Sequence, residues 1–332
     1  LAALFLYNKS PNIPMSSKRI VYMATGDIAI PAFQALINES AYNTVALITQ
    51  PDKPVGRKQI LTPPKIKTFA EGADIPVLQP TRVKNEDELQ LLRDLEPDIV
   101  VVMAYGQILP KALLEIPKVA IINLHASLLP KHRGASCIQA AIDQGDSESG
   151  MTVMHVTEGL DEGDVILKKP FKLTPEITGG ELHEILANDG PSALLEALDL
   201  LSSGKAPRQP QDDALSNYVS KLMRNDGEID WNQPAEIIER RIRAYDPWPG
   251  TSTSFKDAKG RAKRLKVFPQ TQIVTGLNGV PGEVLSIDDG LTVACSVGAL
   301  RISELQPDGK RRMAAGDFLK NGQITLGCIL GQ

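Results

Sequence analysis

Asn123 and His125 are the residues whose types and spacing most suggest chemistry. They stand two apart in Ala120-Ile-Ile-Asn-Leu-His125, an apolar run that predicts a strand. Alternation along a strand sends both side chains to one face. The run ends at Ser127-Leu-Leu-Pro-Lys-His-Arg-Gly134, which reads as a loop. A histidine so placed is a candidate general acid or base, because imidazole titrates close to neutral pH. The neighbouring amide could donate a hydrogen bond to an oxygen that gains negative charge during reaction. The same spacing also suits a satisfied polar pair at a strand end.

A second cluster, Gly159-Leu-Asp-Glu-Gly-Asp164, holds two glycines and three acids and predicts a tight turn. An acid brought to His125 would hold its proton and favour the charged imidazole. A solvated turn is the plain alternative. Mg²⁺ ligation is weaker, since no partner cluster accompanies these acids. His132, His155 and His183 have no ligand spacing and read as non-catalytic polar residues. Trp231, Trp248 and Cys137 read as packing residues.

The elements that must position these groups alternate. Strands are expected at 19–24, 44–49, 76–78, 98–104 and 120–125, with helices at 30–38, 64–72, 85–95 and from 111. Asp98-Ile-Val-Val-Val-Met-Ala104 is almost wholly apolar, as burial on both faces requires. Such alternation predicts an α/β, Rossmann-like parallel sheet with helices on both sides. Ligands of such sheets bind beyond the carboxyl ends of the strands, which draws attention to Tyr105-Gly106 and Asn123-Leu124-His125. The polar run Ser202 to Ser216 reads as a boundary. After it, a helix over 234–243 precedes short alternating stretches at 282–287, 291–295, 299–303 and 323–326. These predict a smaller β-barrel (OB-like) domain. The expected organisation is an N-terminal extension over 1–17, a catalytic domain over 18–204, a linker over 205–218 and a C-terminal domain over 219–332. Met15 reads as the native start.

The chain has 332 residues, 42% hydrophobic and 23% charged, with a net charge of −4. That balance argues against a general polyanion binder. The charge is uneven: from Arg208 onward there are 17 Lys and Arg against 15 Asp and Glu, and before it 19 against 25. Lys256, Lys259, Arg261, Lys263, Arg264 and Lys266 form a local basic run. Three well-separated cysteines point to a reducing compartment, the cytoplasm, without disulfides or a structural metal. No apolar run nears the roughly 20 residues of a membrane span.

Asn-x-His, then SLLPKHRG, then GLDEGD, together resemble the folate-dependent formyltransferases. The resemblance implies Asn123, His125 and Asp161 as a catalytic trio, with Asp164 a neighbour. It implies a folate pocket walled by Ile108, Leu109, Ser127, Leu128, Leu129 and Pro130. It implies 10-formyltetrahydrofolate as co-substrate and no metal. Two further segments are similar to the members that act on methionyl-tRNA: Gln50-Pro-Asp-Lys-Pro-Val-Gly-Arg-Lys58 and Arg241-Ile-Arg-Ala-Tyr-Asp-Pro-Trp-Pro-Gly250. On that likeness Arg57 and Lys58 would meet the tRNA acceptor end, and Lys256, Lys259, Arg261, Lys263 and Arg264 its phosphates. The expected partner is initiator methionyl-tRNA, bound by a monomer with no membrane association. A formyltransferase for a sugar-nucleotide amine, or a non-catalytic RNA-binding protein on the same fold, would share much of the pattern.

Overall fold

The computed structural model describes residues 17–56, 58–257 and 260–332. Residues 1–16 of the expected extension, Arg57 and Lys259 lie outside the described residues. The chain forms two compact units. One holds the described residues through Pro130 with Gly150–Lys169 and Leu186–Ser216; the other holds Lys131–Ser149, Pro170–Ile185 and Asn217–Gln332.

The elements run β1 (Lys18–Ala24), α1 (Ile30–Asn38), β2 (Tyr42–Ile48), β3 (Lys53–Val55), β4 (Ile60–Thr62), α2 (Lys65–Gly72), β5 (Val77–Leu78), α3 (Glu86–Asp94), β6 (Ile99–Met103), α4 (Lys111–Leu114), β7 (Ala120–His125), β8 (Arg133–Gly134), α5 (Cys137–Asp143), β9 (Glu148–His155), β10 (Val165–Lys172) and α6 (Gly179–Ser202). Helix α3 starts with Glu86, Asp87 and Glu88 and has Arg93 in its last turn, as its dipole favours.

Seven strands form one sheet in the order β10-β9-β7-β6-β1-β2-β5. From β5 through β7 every pairing is parallel. The sheet is mixed, however, not wholly parallel, because β9 runs antiparallel to β7 with Thr152 opposite His125. The chain re-enters beside β7 at the same end of the sheet at which it left, so no crossover is needed. Helices cover both faces, as expected. On one, Val21, Met23, Val100, Val102 and Ile121 pack with Leu89 and Leu92 of α3 and Leu113 of α4. On the other, the Tyr22 ring lies 4.9 Å from Phe33 of α1, and Phe33 lies 6.0 Å from Phe69 of α2. Full burial of such side chains contributes roughly 1.5–3 kcal/mol each.

Strands β3 and β4 gain none of that burial. Their three pairs form a hairpin in which all six residues are exposed, and such ribbons are marginal alone. A polar clip closes the base. Lys67 of α2 donates to both Asp52 oxygens at 3.0 Å and to Gln79 Oε1 at 2.8 Å. Gln79 Nε2 donates to Asp52 Oδ1 at 2.7 Å and to the Gln50 carbonyl at 2.9 Å. The residues entering and leaving the hairpin are therefore joined. The bonds from Gln79 and then Lys67 hold the Asp52 carboxyl below the usual carboxylate range.

In the second unit follow β11 (Tyr218–Val219), α7 (Ala235–Ala244), β12 (Thr251–Lys256), β13 (Ala262–Val267), β14 (Gln272–Val274), β15 (Val284–Ser286), β16 (Leu291–Ala294), β17 (Ala299–Ile302), β18 (Glu304–Pro307), β19 (Met313–Ala314) and α8 (Ala315–Leu319). Two antiparallel sheets, β12-β13-β18-β19 and β14-β17-β16-β15, give a small barrel-like domain. Its core holds Trp231, Ile238, Phe255, Leu265, Val293, Leu300 and Phe318. Trp231 is a packing anchor, its Nε1 donating to Thr253 Oγ1 at 3.0 Å, and Cys137 is buried. Trp248 is not buried and stands 49% exposed. The strand expected at 323–326 does not form. Gly322 and Gly327, both at positive φ, bracket it, and Ile324 alone drops into the core.

His132 is also in this unit and is buried. Its backbone N–H donates to Asn217 Oδ1 at 2.6 Å, which identifies the Asn217 nitrogen facing His132 Nδ1 at 3.2 Å as a donor. Nδ1 must then accept, and Nε2–H points to Asp146 Oδ2 at 2.6 Å.

Two outcomes follow from this architecture. Lys67→Met is expected to raise the rate of trypsin cleavage at Lys58 several-fold while hardly moving the Tm; an unchanged rate would mean that the hairpin stands without its clip. His155, at the end of β9, has its imidazole pKa lowered by burial first and by Arg208 second, against Asp164 and the Pro207 carbonyl. A lowered folded value means the unfolded chain binds the proton more readily. This contribution to stability is complete above the ordinary histidine value of about 6.5 and is lost as pH falls through the lowered folded value. Melting curves from pH 7.5 downward should therefore fall less steeply in His155→Gln than in the wild type.

Candidate active site

Strand β7 delivers Asn123 and His125 to the carboxyl end of the parallel strands. By alternation both share a face with Ile121. His125 is buried, and Asn123 is half-buried.

Asp161 comes from the loop joining β9 to β10. Its Oδ1 accepts from Asn123 Nδ2 at 3.4 Å, and its Oδ2 stands 3.6 Å from His125 Nδ1. The side chains of His125 and Asp161 are only 7% and 11% exposed, so little water screens the pair. Catalytic contacts of this length commonly tighten only with substrate bound. Asp164 instead faces Arg208, at 3.7 Å. The structure thus gathers Asn123, His125 and Asp161 and leaves Asp164 aside. Among the described residues, no group of three or more His, Cys, Asp or Glu could hold a metal ion.

The loop is shaped by one close approach. A Cβ on Gly163 would lie 1.7 Å from the His155 carbonyl oxygen, so only glycine fits. Asp161 itself has φ 56°, a conformation that non-glycine residues seldom hold.

The segments expected to wall a folate pocket flank these residues. Ile108 follows β6 and is 80% exposed, whereas Leu109 is buried. Ser127 and Leu129 are fully buried, and Leu128 and Pro130 are half-buried. Thr152 fixes this stretch: its hydroxyl donates to the Ser127 carbonyl at 2.6 Å and accepts from Leu129 N–H at 3.1 Å. A Cβ on Gly150 would lie 2.7 Å from Leu128 Cδ2 and 2.2 Å from the Lys169 carbonyl oxygen. Thr152 was missed in the sequence, where its only signal is a lone hydroxyl inside Met151-Thr-Val-Met154.

The basic residues divide. Lys58 is exposed on the β3–β4 hairpin. In the β12–β13 ladder Lys256 faces Ala262, Ser254 faces Arg264 and Ser252 faces Lys266. Alternation places Lys256, Arg264 and Lys266 on one side, away from the core residues Phe255, Leu265 and Val267. Lys263, opposite Phe255, falls on the other side. Arg261 pairs with Asp257 at 2.7 Å. Lys266 belongs with the outward set, which only the strand register reveals.

Known proteins match this architecture. The family described as Formyl transferase matches residues 18–198, and the one described as Formyl transferase, C-terminal domain matches residues 221–323. The methionyl-tRNA formyltransferase of Akkermansia muciniphila is 50% identical over 296 residues, covering 89% of this chain and 94% of that protein. That of Geotalea daltonii is 46% identical over 314 residues, covering 94% and 98%. Among solved structures, HypX from Aquifex aeolicus in complex with tetrahydrofolic acid aligns with TM-score 0.56 at 18% identity over 92% of this chain, which spans about half (47%) of that protein. The N-formyltransferase of Helicobacter canadensis, with folinic acid and dTDP-3-aminofucose, aligns with TM-score 0.62 at 17% identity over 90% of this chain and 100% of its own. These distant structures share the fold, whereas the close relatives extend along nearly all of the chain and the two family matches together cover most of it; the chain belongs to the formyl transferase family.

Proposed function

We propose that this protein transfers the formyl group of 10-formyltetrahydrofolate to the α-amine of methionyl-tRNA, making the formylated initiator tRNA. The observation that carries the reading is the meeting of Asn123, His125 and Asp161 at the end of β7. The names of the close relatives support the acceptor. The exposed apolar side chain of Ile108, beside the carboxyl end of β6, suits a flat ring lying against that edge. We read 18–204 as catalytic, 205–218 as the connection and 219–332 as the tRNA-binding part, in a cytoplasmic monomer.

The folate supplies a formyl group carried on a nitrogen that leaves as a neutral amine once it gains a proton. The methionyl amine attacks that carbon; a new C–N bond forms as the bond to the folate nitrogen breaks. One proton passes from the attacking nitrogen to the leaving one. Asn123 Nδ2 has a second hydrogen beyond the one given to Asp161 and donates it to the carbonyl oxygen as charge develops there. His125, protonated, neutralises the same charge. Asp161 holds His125 in orientation and relays the proton. No covalent enzyme intermediate is required, and holding two substrates in place supplies much of the rate.

The hairpin bearing Arg57 and Lys58 would seat the acceptor end. Lys256, Arg264 and Lys266, with Arg261 beyond them, would meet phosphates, with Lys263 at their margin.

Purified protein is expected to formylate methionyl-tRNA from 10-formyltetrahydrofolate and to leave uncharged tRNA and a 4-amino sugar nucleotide untouched. Formylation of the sugar alone would overturn the acceptor. Folate and tRNA binding without any transfer would favour a binding protein. His125→Ala should lower kcat by roughly 10²–10⁴-fold, and Asn123→Ala by roughly 10²–10³-fold, with tRNA affinity little changed. The combined change Lys256→Ala and Lys266→Ala should instead weaken tRNA binding and flatten its dependence on log salt by roughly one unit per lost phosphate contact. An unaltered slope would take tRNA off this face.

A further inference from the structure

The geometry points to Gln211 as a positioning residue that sets Asp161 against Asn123 and His125. The inference rests on the reading of those three residues as the reacting group. Gln211 lies in the polar run that composition marks as a connection, 50 residues along the chain from Asp161.

Its side-chain amide nitrogen is 2.8 Å from the Asp161 carbonyl and 2.8 Å from the Gly163 carbonyl. An amide NH₂ has two hydrogens, and both are directed at one loop. Those two carbonyls bracket the stretch with the least backbone freedom. Asp161 is in the left-handed region, and Gly163 lies where any side chain would collide with the His155 carbonyl. A non-glycine residue stays in that region only when its surroundings hold it there. Gln211 provides that hold on the backbone of the residue whose carboxylate meets the other two.

Gln211 is itself held. Residues 207–211 cross the same loop as a strap. Arg208 pairs with Asp164 at 3.7 Å. Gln209 and Val165 exchange both backbone hydrogen bonds, at 2.8 and 3.1 Å. Residues 207–210 are exposed, and Gln211 turns inward to half burial. Its amide also lies 3.8 Å from the sulfur of Met154, the residue paired with Asn123 in the sheet. The strap therefore ends directly over the face that carries Asn123. Gln211 acts through Asp161 and needs no contact with substrate.

The test is Gln211→Leu, of similar size without donors, alone and combined with Asp161→Asn. Gln211→Leu is expected to lower kcat by up to roughly 10²-fold, the scale of a misplacement of about 1 Å, with KM for either substrate within about twofold. In the Asp161→Asn background the added loss should shrink to under twofold, because the residue acts through Asp161. Independently of turnover, the His125 imidazole NMR shifts of Gln211→Leu should move from wild-type values toward those of Asp161→Asn. Gln211→Glu, which replaces the donor with a repelled oxygen, should be at least as impaired. Multiplying losses in the double variant, a change confined to KM, or unmoved His125 shifts would each overturn the inference. A wild-type protein that formylates no amine, but whose His125 shifts respond as described, would overturn the reading of the reaction and leave the positioning role standing.

Discussion

The contact of one carboxylate with two side chains on β7 is the interaction on which this site depends. Asp161 is 38 residues from Asn123, and no local preference brings them together. What does so is the sequence of strands: β9 returns beside β7, and the loop after it doubles back over the face that Asn123 and His125 share. The return is tight. It uses a glycine with no room for a Cβ at position 163 and a left-handed aspartate at 161. Both features cost conformational freedom or strain, and neither would persist unless the contact were fixed by its neighbours.

That fixing is polar and does not come from apolar packing. The sheet is held by burial on both faces, which is strong but does not orient a loop. Hydrogen bonds with defined donors do. Thr152 fixes the stretch after β7 by donating to one carbonyl and accepting from one N–H. The Asp52, Lys67 and Gln79 group joins both ends of an exposed hairpin in the same manner. In each case polar side chains satisfy backbone or carboxylate groups that would otherwise be left unpaired. Loops built in this way can be placed accurately without an apolar face of their own.

This division explains what could be read in the sequence. The alternation of strands and helices from residue 19 to 125 was legible because burial imposes a period on the residues that carry it. Ala120–His125 has the expected limits, and the helix expected from 111 begins there. Asn123 and His125 were legible for the same reason, since a spacing of two on a strand is a statement about direction. The antiparallel return of β9 was not, because pairing sense depends on the path of the chain and not on composition. Gln211 was hidden in a run of polar residues that looks like any exposed connection. Only its partners distinguish it from Gln209. The Gln323–Leu326 stretch shows the opposite error: its residues suit a strand, but glycines at positive φ on either side turn the chain at both of its ends.

The basic run makes the same point for binding. Composition treats Lys256 to Lys266 as one patch. The ladder separates it, because β13 must turn Leu265 and Val267 to the core. Its other positions, Arg264 and Lys266, are thereby committed to the outer surface, where Lys256 of β12 joins them. Arg264 is also tied by its Nε to Ser252 at 2.8 Å, which holds the guanidinium against the sheet while its remaining N–H groups stay on the outer side. An arginine held in this manner loses less freedom on meeting a phosphate than an untethered lysine does. The core of the small domain thus determines which cations share its outer face, and it does so through the strand period that also aligned Asn123 with His125.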